Sequence, residues 1–294
     1  MLQIIALMQF LLGRFAVMDN IIWISGMPRS GTTWLSQIFA SSPDVRLKFC
    51  PLFSYEFKNA LNEKSSAEEW RNLFTQAYET KSDYLDQEYL REKGLVPTFT
   101  LKNDEPSNLV IKSTRFHNLI PCVLALHPDI QFVHIIRDPR ATIYSWLSNH
   151  YEFPKGADVK KHWESGECRK GGYGEFWGFT DWMNTSHQAL ELEAKYPERF
   201  KVIRYEDLFA QPQLVVSNLF NFLNLKFHQQ TDDFILLSQS KHDANKRSVF
   251  KAPNKASNWQ GKLDPDINKS ILESVQCSAL SHFLDEDNRQ AGNE

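Results

Sequence analysis

The sequence predicts a single α/β domain built on a central parallel sheet that is flanked by helices. Short apolar runs alternate along the chain with stretches of helical character, which is the pattern of parallel strands joined by helical crossovers. The chain has 294 residues, enough for one large domain with a full core. No internal repeat, low-complexity tract or linker divides the sequence, so we expect one domain.

Apolar runs predict the strands at residues 21–25, 45–49, 108–112, 131–136 and 201–204. Helices are predicted at residues 32–40, 67–78, 117–126, 140–149, 180–196, 212–223 and 265–277. Residues 151–179 interrupt the alternation and are rich in Gly, Lys, His and aromatic residues. They predict a long surface segment whose rings either stack on a bound molecule or seal the edge of the domain.

Charge and cysteine usage limit the possible functions. The formal net charge is −3 at pH 7, so no global field attracts nucleic acid. The four cysteines lie far apart without metal-ligand spacing, which predicts reduced thiols and a cytoplasmic location. Residues 19–290 form the predicted domain, and residues 1–18 are expected to be an extension upstream of the true start, a short helix packed on the domain or a signal anchor, the last of which leaves a membrane-anchored form open. The apolar run there is shorter than the roughly 20 residues that a membrane helix needs, so no span is expected.

The turn between the first strand and the first helix has the composition of an anion cradle. Gly26 and Gly31 let the backbone approach a ligand, so that successive N–H groups point into one concavity. The N-terminus of the following helix adds unpaired donors and the positive end of its dipole. Hydroxyl groups come from Ser30, Thr32 and Thr33. The alternative is an ordinary glycine-rich joint between a strand and a helix.

This cradle is P-loop-like but lacks the P-loop lysine. The P-loop reads G-x-x-x-x-G-K-[ST], and Gly26, Gly31 and Thr33 occupy the matching positions. Thr32 stands at the lysine position, and Arg29 supplies a cation from inside the loop. We therefore expect a P-loop-like topology with an anion site that is not built for ATP.

A second anion site is predicted where the strand at 131–136 ends in Arg137. Ligands of open α/β sheets bind beyond the carboxyl ends of the strands, so Arg137 should share a sheet edge with the cradle. Its planar fork can bind a phosphate through two charged hydrogen bonds, or it can pair with Asp138. Ser145 lies two helical turns further on and reaches the same region only if its helix crosses the ligand. Two separated anion sites predict a ligand with two distant phosphates, and no metal is expected.

These motifs resemble those of the sulfotransferases that use 3'-phosphoadenosine 5'-phosphosulfate (PAPS). The family's 5'-phosphosulfate loop resembles residues 28–35, its 3'-phosphate motif resembles residues 137–145, and its strand-end Tyr-Glu-Asp-Leu resembles residues 205–208. The resemblance runs in the correct order from about Asn20 to about Leu280. It implies the sulfotransferase fold, with PAPS as the co-substrate and no metal.

The resemblance also implies a role for each matching residue. The 5' end of the donor would be held by Arg29, Ser30, Gly31, Thr32, Thr33 and Trp34. Arg137 and Ser145 would hold the 3'-phosphate, and Tyr205 would meet the adenine. A late basic loop of the family closes over the 3'-phosphate, and its looser match here, which could also be a solvated loop, comprises Lys251, Asn254 and Lys255.

Catalysis of sulfuryl transfer requires cations at the departing phosphate and a base at the acceptor. Arg29 fits the first role, and so does Lys112, because the family often has a lysine at this strand end near the bridging oxygen of the donor. The alternative for Lys112 is a strand-end lysine whose ammonium group extends into solvent.

The usual base of the family is missing. Thr114 stands where cytosolic small-molecule sulfotransferases have a histidine, and Cys50 stands where many carbohydrate sulfotransferases have a glutamate. The nearby candidates, each of which could instead be structural, are Glu56, His117 and His150.

The resemblance implies sulfuryl transfer from PAPS to a hydroxyl of a carbohydrate, a glycolipid or a similar small acceptor. The pattern at residues 43–55 and 248–259 is closer to carbohydrate-type relatives than to cytosolic phenol or steroid ones. The alternatives are a nucleotide-binding protein of this fold without turnover and a P-loop kinase. The expected partner is a small-molecule or glycan acceptor, not nucleic acid, and the sequence does not give the oligomeric state.

Overall fold

The computed structural model describes Met18, residues 20–251 and residues 259–285, and it contains a five-stranded parallel sheet. The strands are β1 Asn20–Ser25, β2 Val45–Phe49, β3 Asn108–Ser113, β4 Ile130–Ile136 and β5 Phe200–Arg204. Their order is β2-β3-β1-β4-β5, and each neighbouring pair is parallel. The predicted fold class and each predicted strand are therefore confirmed.

Helices pack on both faces of this sheet. They are α1 Thr32–Ala40, α2 Ala67–Glu79, α3 Glu88–Arg91, α4 Ile120–Leu126, α5 Pro139–Leu147, α6 Val159–His162, α7 Gly178–Lys195, α8 Tyr205–Ala210, α9 Pro212–Phe222, α10 Gln229–Ser240 and α11 Pro265–Val275. Short 3₁₀ turns lie at Pro51–Phe53, His117–Leu119 and Ser281–Phe283. The helix predicted at 117–126 thus begins as a 3₁₀ turn, and α3, α6, α8 and α10 were not predicted.

The sheet forms the middle layer because its side chains alternate between two buried faces. On β1, Ile21 and Trp23 contribute to a core shared with α2, α4, α5, α7 and α11. Ile22 and Ile24 contribute to the opposite core, which is shared with α1, α9 and α10. This three-layer packing fixes the strands rigidly and leaves their carboxyl ends free to carry a site.

The carboxyl ends of the parallel strands meet at one edge of the sheet. The loop at 26–31 follows β1, Thr114 follows β3, Arg137 follows β4 and Tyr205 follows β5. Since the strands are in register, with Ser25 opposite Ser113, these segments leave the sheet at nearly the same level. The fold therefore brings the predicted motifs to a common edge, as open α/β sheets do.

Two predictions concern the ends of the chain and the segment at 151–179. The predicted extension at 1–18, apart from Met18, and the last residues of the predicted domain lie outside the described residues. Among the described helices, none combines the length and the apolar character needed to cross a bilayer. Residues 151–179 hold α6 and the start of α7 and are otherwise irregular, as the interrupted pattern indicated.

Candidate active site

A cavity of about 420 Å³ opens at the carboxyl edge of the sheet. We call it the edge cavity. Its walls include Arg29, Thr32 and Lys112, and also Arg137 and Tyr205. Nine of the residues predicted to bind a donor or to assist transfer line this cavity, the others being Gly31, Thr33, Trp34 and Lys251.

The loop that follows β1 has the backbone of an anion cradle. Gly31 adopts a left-handed conformation with φ 91°, and no side chain caps the N-terminus of α1. The first N–H groups of that helix are consequently left for a ligand or for solvent. The Oγ atom of Ser30 is buried and has no hydrogen-bond partner among the described residues, although Ser30 itself does not line the edge cavity.

Gly31 also makes room for a ring. A Cβ atom built at this position would lie 2.5 Å from Cδ2 of Tyr205, well inside van der Waals contact. Trp34 approaches the same ring edge-on, with 6.4 Å between the ring centroids, and its indole Nε1 donates to Ser238 Oγ at 2.8 Å. The loop glycine, Trp34 and Tyr205 thus form an aromatic wall beside the cradle.

The two predicted anion groups lie next to each other rather than at separate ends of the sheet edge. The Nη1 atom of Arg137 donates to the carbonyl oxygen of Arg29 at 3.2 Å. The Nε atom of Arg29 donates to Ser145 Oγ at 3.1 Å, so α5 does cross the loop, although Ser145 itself does not line the edge cavity. The guanidinium carbon of Arg137 stands 4.4 Å from the ring centroid of Tyr205. Arg29, Arg137 and Tyr205 therefore lie together in the wall of the edge cavity, with Ser145 behind Arg29.

The predicted late loop is described only in part. Lys251 lines the edge cavity, and its Nζ atom donates to the carbonyl oxygens of Asp243 and Asn245, at 2.6 Å in each case. Asn254 and Lys255 lie outside the described residues.

Lys112 is buried at the end of β3 and faces the edge cavity. Burial lowers the pKa of its ammonium group to about 8, against the opposing charges of Cys50 and Glu152. Within the described residues this ammonium group has no hydrogen-bond or ion-pair partner, and it lies 4.5 Å from the ring centroid of Phe49. Burial likewise lowers the pKa of Arg29. Lys112 is buried and the Arg29 side chain is 22% exposed, so both cations are partly or fully shielded from water and would interact with a negative ligand.

An aromatic cluster that sequence reasoning missed continues the cavity beyond Lys112. Phe49 and Tyr84 have ring centroids 5.1 Å apart, and Phe53 lies 6.3 Å from Tyr84. The guanidinium group of Arg115 stacks over Phe53 at 3.7 Å and forms an ion pair with Glu175. Ring stacking of this kind suits a flat acceptor. In the sequence, the sole sign of this cluster is the pair of phenylalanines close to Cys50, Phe49 and Phe53.

The structure does not bring the predicted general bases to the edge cavity. Glu56 and His150 are exposed and do not line it. His117 is buried in the core, where its ring packs against His134 and Phe176 with centroid distances of 5.7 and 5.0 Å. Cys50 is also buried, and burial raises the pKa of its thiol. The cavity does contain a carboxylate that sequence reasoning missed, on Glu152.

The buried histidines predict a loss of stability in acid. Burial lowers the pKa of His117 from 6.5 to about 4. Between pH 6.5 and pH 4, the histidine is therefore protonated in the unfolded chain but neutral in the folded chain. Stability is fully present above pH 6.5 and should fall by on the order of 3 kcal/mol as the pH drops to 4. His134 acts in the same direction. Urea unfolding of the native chain at pH 7 and pH 5 measures this loss.

His117→Gln removes one of these titrating groups, so its free energy of unfolding should depend less on pH than that of the native chain. His242→Gln, at an exposed position, is the matched control and should leave the dependence unchanged. An unaltered pH dependence in His117→Gln would contradict the assignment.

No group of three or more His, Cys, Asp or Glu side chains in the described ranges is arranged to hold a metal ion. In the sequence, Asp138 is the one strand-end carboxylate at a position where a magnesium ligand would be expected. In the structure, both of its carboxylate oxygens accept hydrogen bonds from the Arg140 guanidinium group, with 2.5 Å between Oδ2 and Nη2. The edge cavity therefore presents cations and N–H groups to an anion.

Comparison with known proteins agrees with this geometry. Residues 22–229 match the model of the sulfotransferase family. The zebrafish (Danio rerio) protein-tyrosine sulfotransferase 1 is 24% identical, over 85% of this chain and 68% of its own length. The Drosophila melanogaster protein-tyrosine sulfotransferase is 22% identical over 86% of this chain. The aligned region is about half, 49%, of the length of that protein.

Among solved structures, a mouse sulfotransferase, SULT7A1, complexed with PAP is similar to this chain. The TM-score is 0.50 at 15% identity, and the alignment covers 90% of this chain and 87% of the other. At this identity the similarity concerns the fold.

Proposed function

The chain belongs to the sulfotransferase family, and on that premise we propose that it transfers a sulfuryl group from PAPS to an aromatic hydroxyl. The observation that carries the proposal is the edge cavity itself. At one end lie Arg29, Arg137 and a P-loop-like cradle without the P-loop lysine, and at the other lies the aromatic cluster of Phe49, Phe53 and Tyr84. Lys112 stands between the two ends.

The donor end fits a nucleotide that carries two phosphate groups. The buried Oγ of Ser30 and the uncapped N-terminus of α1 suit the 5' end of PAPS, and Arg137 suits the 3'-phosphate. Tyr205 and Trp34 line the cavity and provide aromatic surface for the adenine. PAPS supplies an activated sulfuryl group whose leaving group is a phosphate.

The roles of the two buried cations follow from the charge changes of the reaction. As the bridging S–O bond breaks, negative charge grows on the phosphate oxygen that leaves. Lys112, protonated below its pKa of about 8, and Arg29 would stabilise that charge without reorganising. Their low exposure keeps water from screening the interaction.

The nature of the acceptor rests on a second argument. The pattern of the sequence favoured a carbohydrate, but the two named relatives are protein-tyrosine sulfotransferases. The rings of Phe49, Phe53 and Tyr84, with Arg115 stacked over Phe53, suit a phenolic ring such as a tyrosyl side chain. We therefore place a phenol first and a sugar second, and a cytoplasmic location stays a prediction from the cysteines.

Calorimetry with PAP, the 3',5'-bisphosphoadenosine product of the donor, tests the donor end. PAP should bind without magnesium, and more tightly than ATP binds with magnesium. Gly31→Ala should weaken PAP binding at least tenfold, because its Cβ would strike Tyr205 and its φ of 91° is unfavourable to alanine. Gly94→Ala is the matched control, since Gly94 also has a positive φ, 66°, but faces open space.

Binding of ATP with magnesium but not of PAP would instead identify a P-loop kinase. Transfer of radiolabelled sulfate from PAPS to 4-methylphenol, tyrosine peptides and simple sugars then tests turnover. Tight PAP binding with no transfer to any acceptor would favour a nucleotide-binding protein without activity.

A further inference from the structure

We infer that Glu152 is the general base that removes the proton from the acceptor hydroxyl, an assignment that rests on the proposed sulfuryl transfer. Glu152 is a wall residue of the edge cavity. Its neighbour Tyr151 also lines the cavity, so this turn contributes both a carboxylate and a phenol ring to the cavity wall.

The position of the carboxylate relative to the donor loop supports this role. The Oε2 atom of Glu152 lies 3.6 Å from Nε of Arg29, the loop cation. Its negative charge also raises the pKa of Lys112, in opposition to the larger effect of burial. Glu152 therefore lies beside Arg29 and lines the same cavity as Lys112, the two cations proposed to stabilise the departing phosphate.

The backbone of Glu152 is held firmly just after the end of α5. Its N–H donates to the carbonyl oxygen of Asn149 at 2.9 Å, and its own carbonyl oxygen accepts from Trp146 Nε1 at 3.4 Å. The next residue, Phe153, is buried against Trp146 with 5.2 Å between ring centroids. Because the packing of α5 fixes this turn, the carboxylate is carried by a rigid element rather than by a mobile loop.

The carboxylate is also available for chemistry. Its Oε2 is buried and has no hydrogen-bond partner within the described ranges, since the approach of Arg29 at 3.6 Å is too long for one. Arg29 instead donates from Nε to Ser145 at 3.1 Å. A buried carboxylate oxygen that receives no hydrogen bond destabilises the fold unless a ligand donates one. The hydroxyl group of a sulfuryl acceptor would donate that hydrogen bond.

Among the described residues, the other polar groups in or near the edge cavity beside Lys112 do not offer a base. The hydroxyl of Thr114 is too weak a base, and the Cys50 thiol has a pKa raised by burial. Lys112 is protonated at neutral pH, because its pKa is about 8. Glu175, which lies nearby, is paired with Arg115.

The step balances with the groups named. The acceptor oxygen forms a bond to sulfur while the bond between sulfur and the bridging oxygen breaks, and that electron pair stays on the 5'-phosphate of PAP. The acceptor proton passes to Oε2 of Glu152, and from there to solvent. No oxidant, reductant or further reactant is required.

The test compares two phenols that differ in acidity. With 4-methylphenol, a weak acid, Glu152→Gln should lower kcat by about 10²- to 10⁴-fold, the usual contribution of a general base. With 4-nitrophenol, a much stronger acid that is already partly ionised near neutral pH, the same variant should lose less than tenfold, because less proton removal is needed. Glu152→Asp, which keeps a shorter carboxylate, should recover part of the rate with 4-methylphenol.

Two controls separate this role from others. Glu198→Gln, at an exposed position, should leave both rates unchanged. Calorimetry with PAP should show affinity within about twofold of the native chain for Glu152→Gln. Equal losses with both phenols, or a large loss of PAP affinity, would show that Glu152 only orients Arg29 and would overturn the base assignment.

An absence of transfer by the native chain to both phenols would overturn the phenolic acceptor together with its base. The donor site would still be judged separately, by PAP binding. Failure of the base assignment and failure of the proposed function therefore give different results.

Discussion

Asp138→Asn is expected to lower the free energy of unfolding by about 3–5 kcal/mol, because it leaves a buried guanidinium group without its counter-charge. The Nη2 atom of Arg140 lies 2.5 Å from Asp138 Oδ2, and both side chains are 1% exposed. The Arg140 guanidinium group also lies 4.6 Å from the ring centroid of Trp259, and the N–H of Asp285 donates to Asp138 Oδ2 at 2.9 Å. Urea unfolding at neutral pH measures the change.

The pair connects the donor site to the end of the described chain. Asp138 follows Arg137 directly, and its side chain caps α5 by accepting from the N–H of Arg140 at 2.8 Å. Asparagine keeps an oxygen for this cap, so the loss should report the charge rather than the cap. Part of the stability should return in the double variant Asp138→Asn/Arg140→Met, because no unpaired charge is then buried.

A surface pair provides the control for this expectation. Asp266 lies 2.9 Å from Lys160 Nζ, but their side chains are 83% and 66% exposed. Asp266→Asn should change stability by about 0–1 kcal/mol, because solvent screens the pair. A similarly small change for Asp138→Asn would contradict the proposal that the buried pair holds α5 and the C-terminal segment together.

The three central strands β1, β3 and β4 could be predicted from the sequence because each is largely an apolar run, whereas the edge strands β2 and β5 are interrupted by Lys and Arg. Both faces of the parallel sheet are buried, so β4 at Ile130–Ile136 has little polar interruption to obscure it. The helices missed by prediction are short, as α3 and α8 are, or largely polar, as α10 is. Their stability comes from tertiary packing, for example of Phe234 and Ile235 in α10, which periodicity alone does not reveal.

The cations and glycines at one end of the edge cavity could be predicted to lie together because they belong to local motifs at strand ends. The sequence shows both Gly31, in the turn after a strand, and Arg137, at the end of another strand. The acceptor end could not, since Phe49, Tyr84 and Glu152 come from three separate segments that only the fold brings together. His117 was predicted from the sequence but does not belong to the site. A histidine is a suitable base and lies shortly after β3, but the fold buries it in the core.

Arg137→Ala is expected to weaken PAP binding by about 2–5 kcal/mol, the cost of removing one partner from a buried charge pair. The side chain lies in the wall of the edge cavity, over the ring of Tyr205 at 4.4 Å, and Trp182 Nε1 fixes its carbonyl oxygen at 3.0 Å. Arg137→Lys keeps the charge but loses the planar fork, so its affinity should be intermediate. Arg71→Ala, which removes an exposed arginine, controls for net charge.

Calorimetry with a second nucleotide locates the contact. AMP shares the base and the 5'-phosphate with PAP but lacks the 3'-phosphate. If Arg137 binds the 3'-phosphate, the alanine variant should lose far more affinity for PAP than for AMP, and the native chain should prefer PAP by a similar factor. Equal losses for the two nucleotides would mean that Arg137 acts through the carbonyl oxygen of Arg29, which it contacts at 3.2 Å, and so shapes the 5' loop instead.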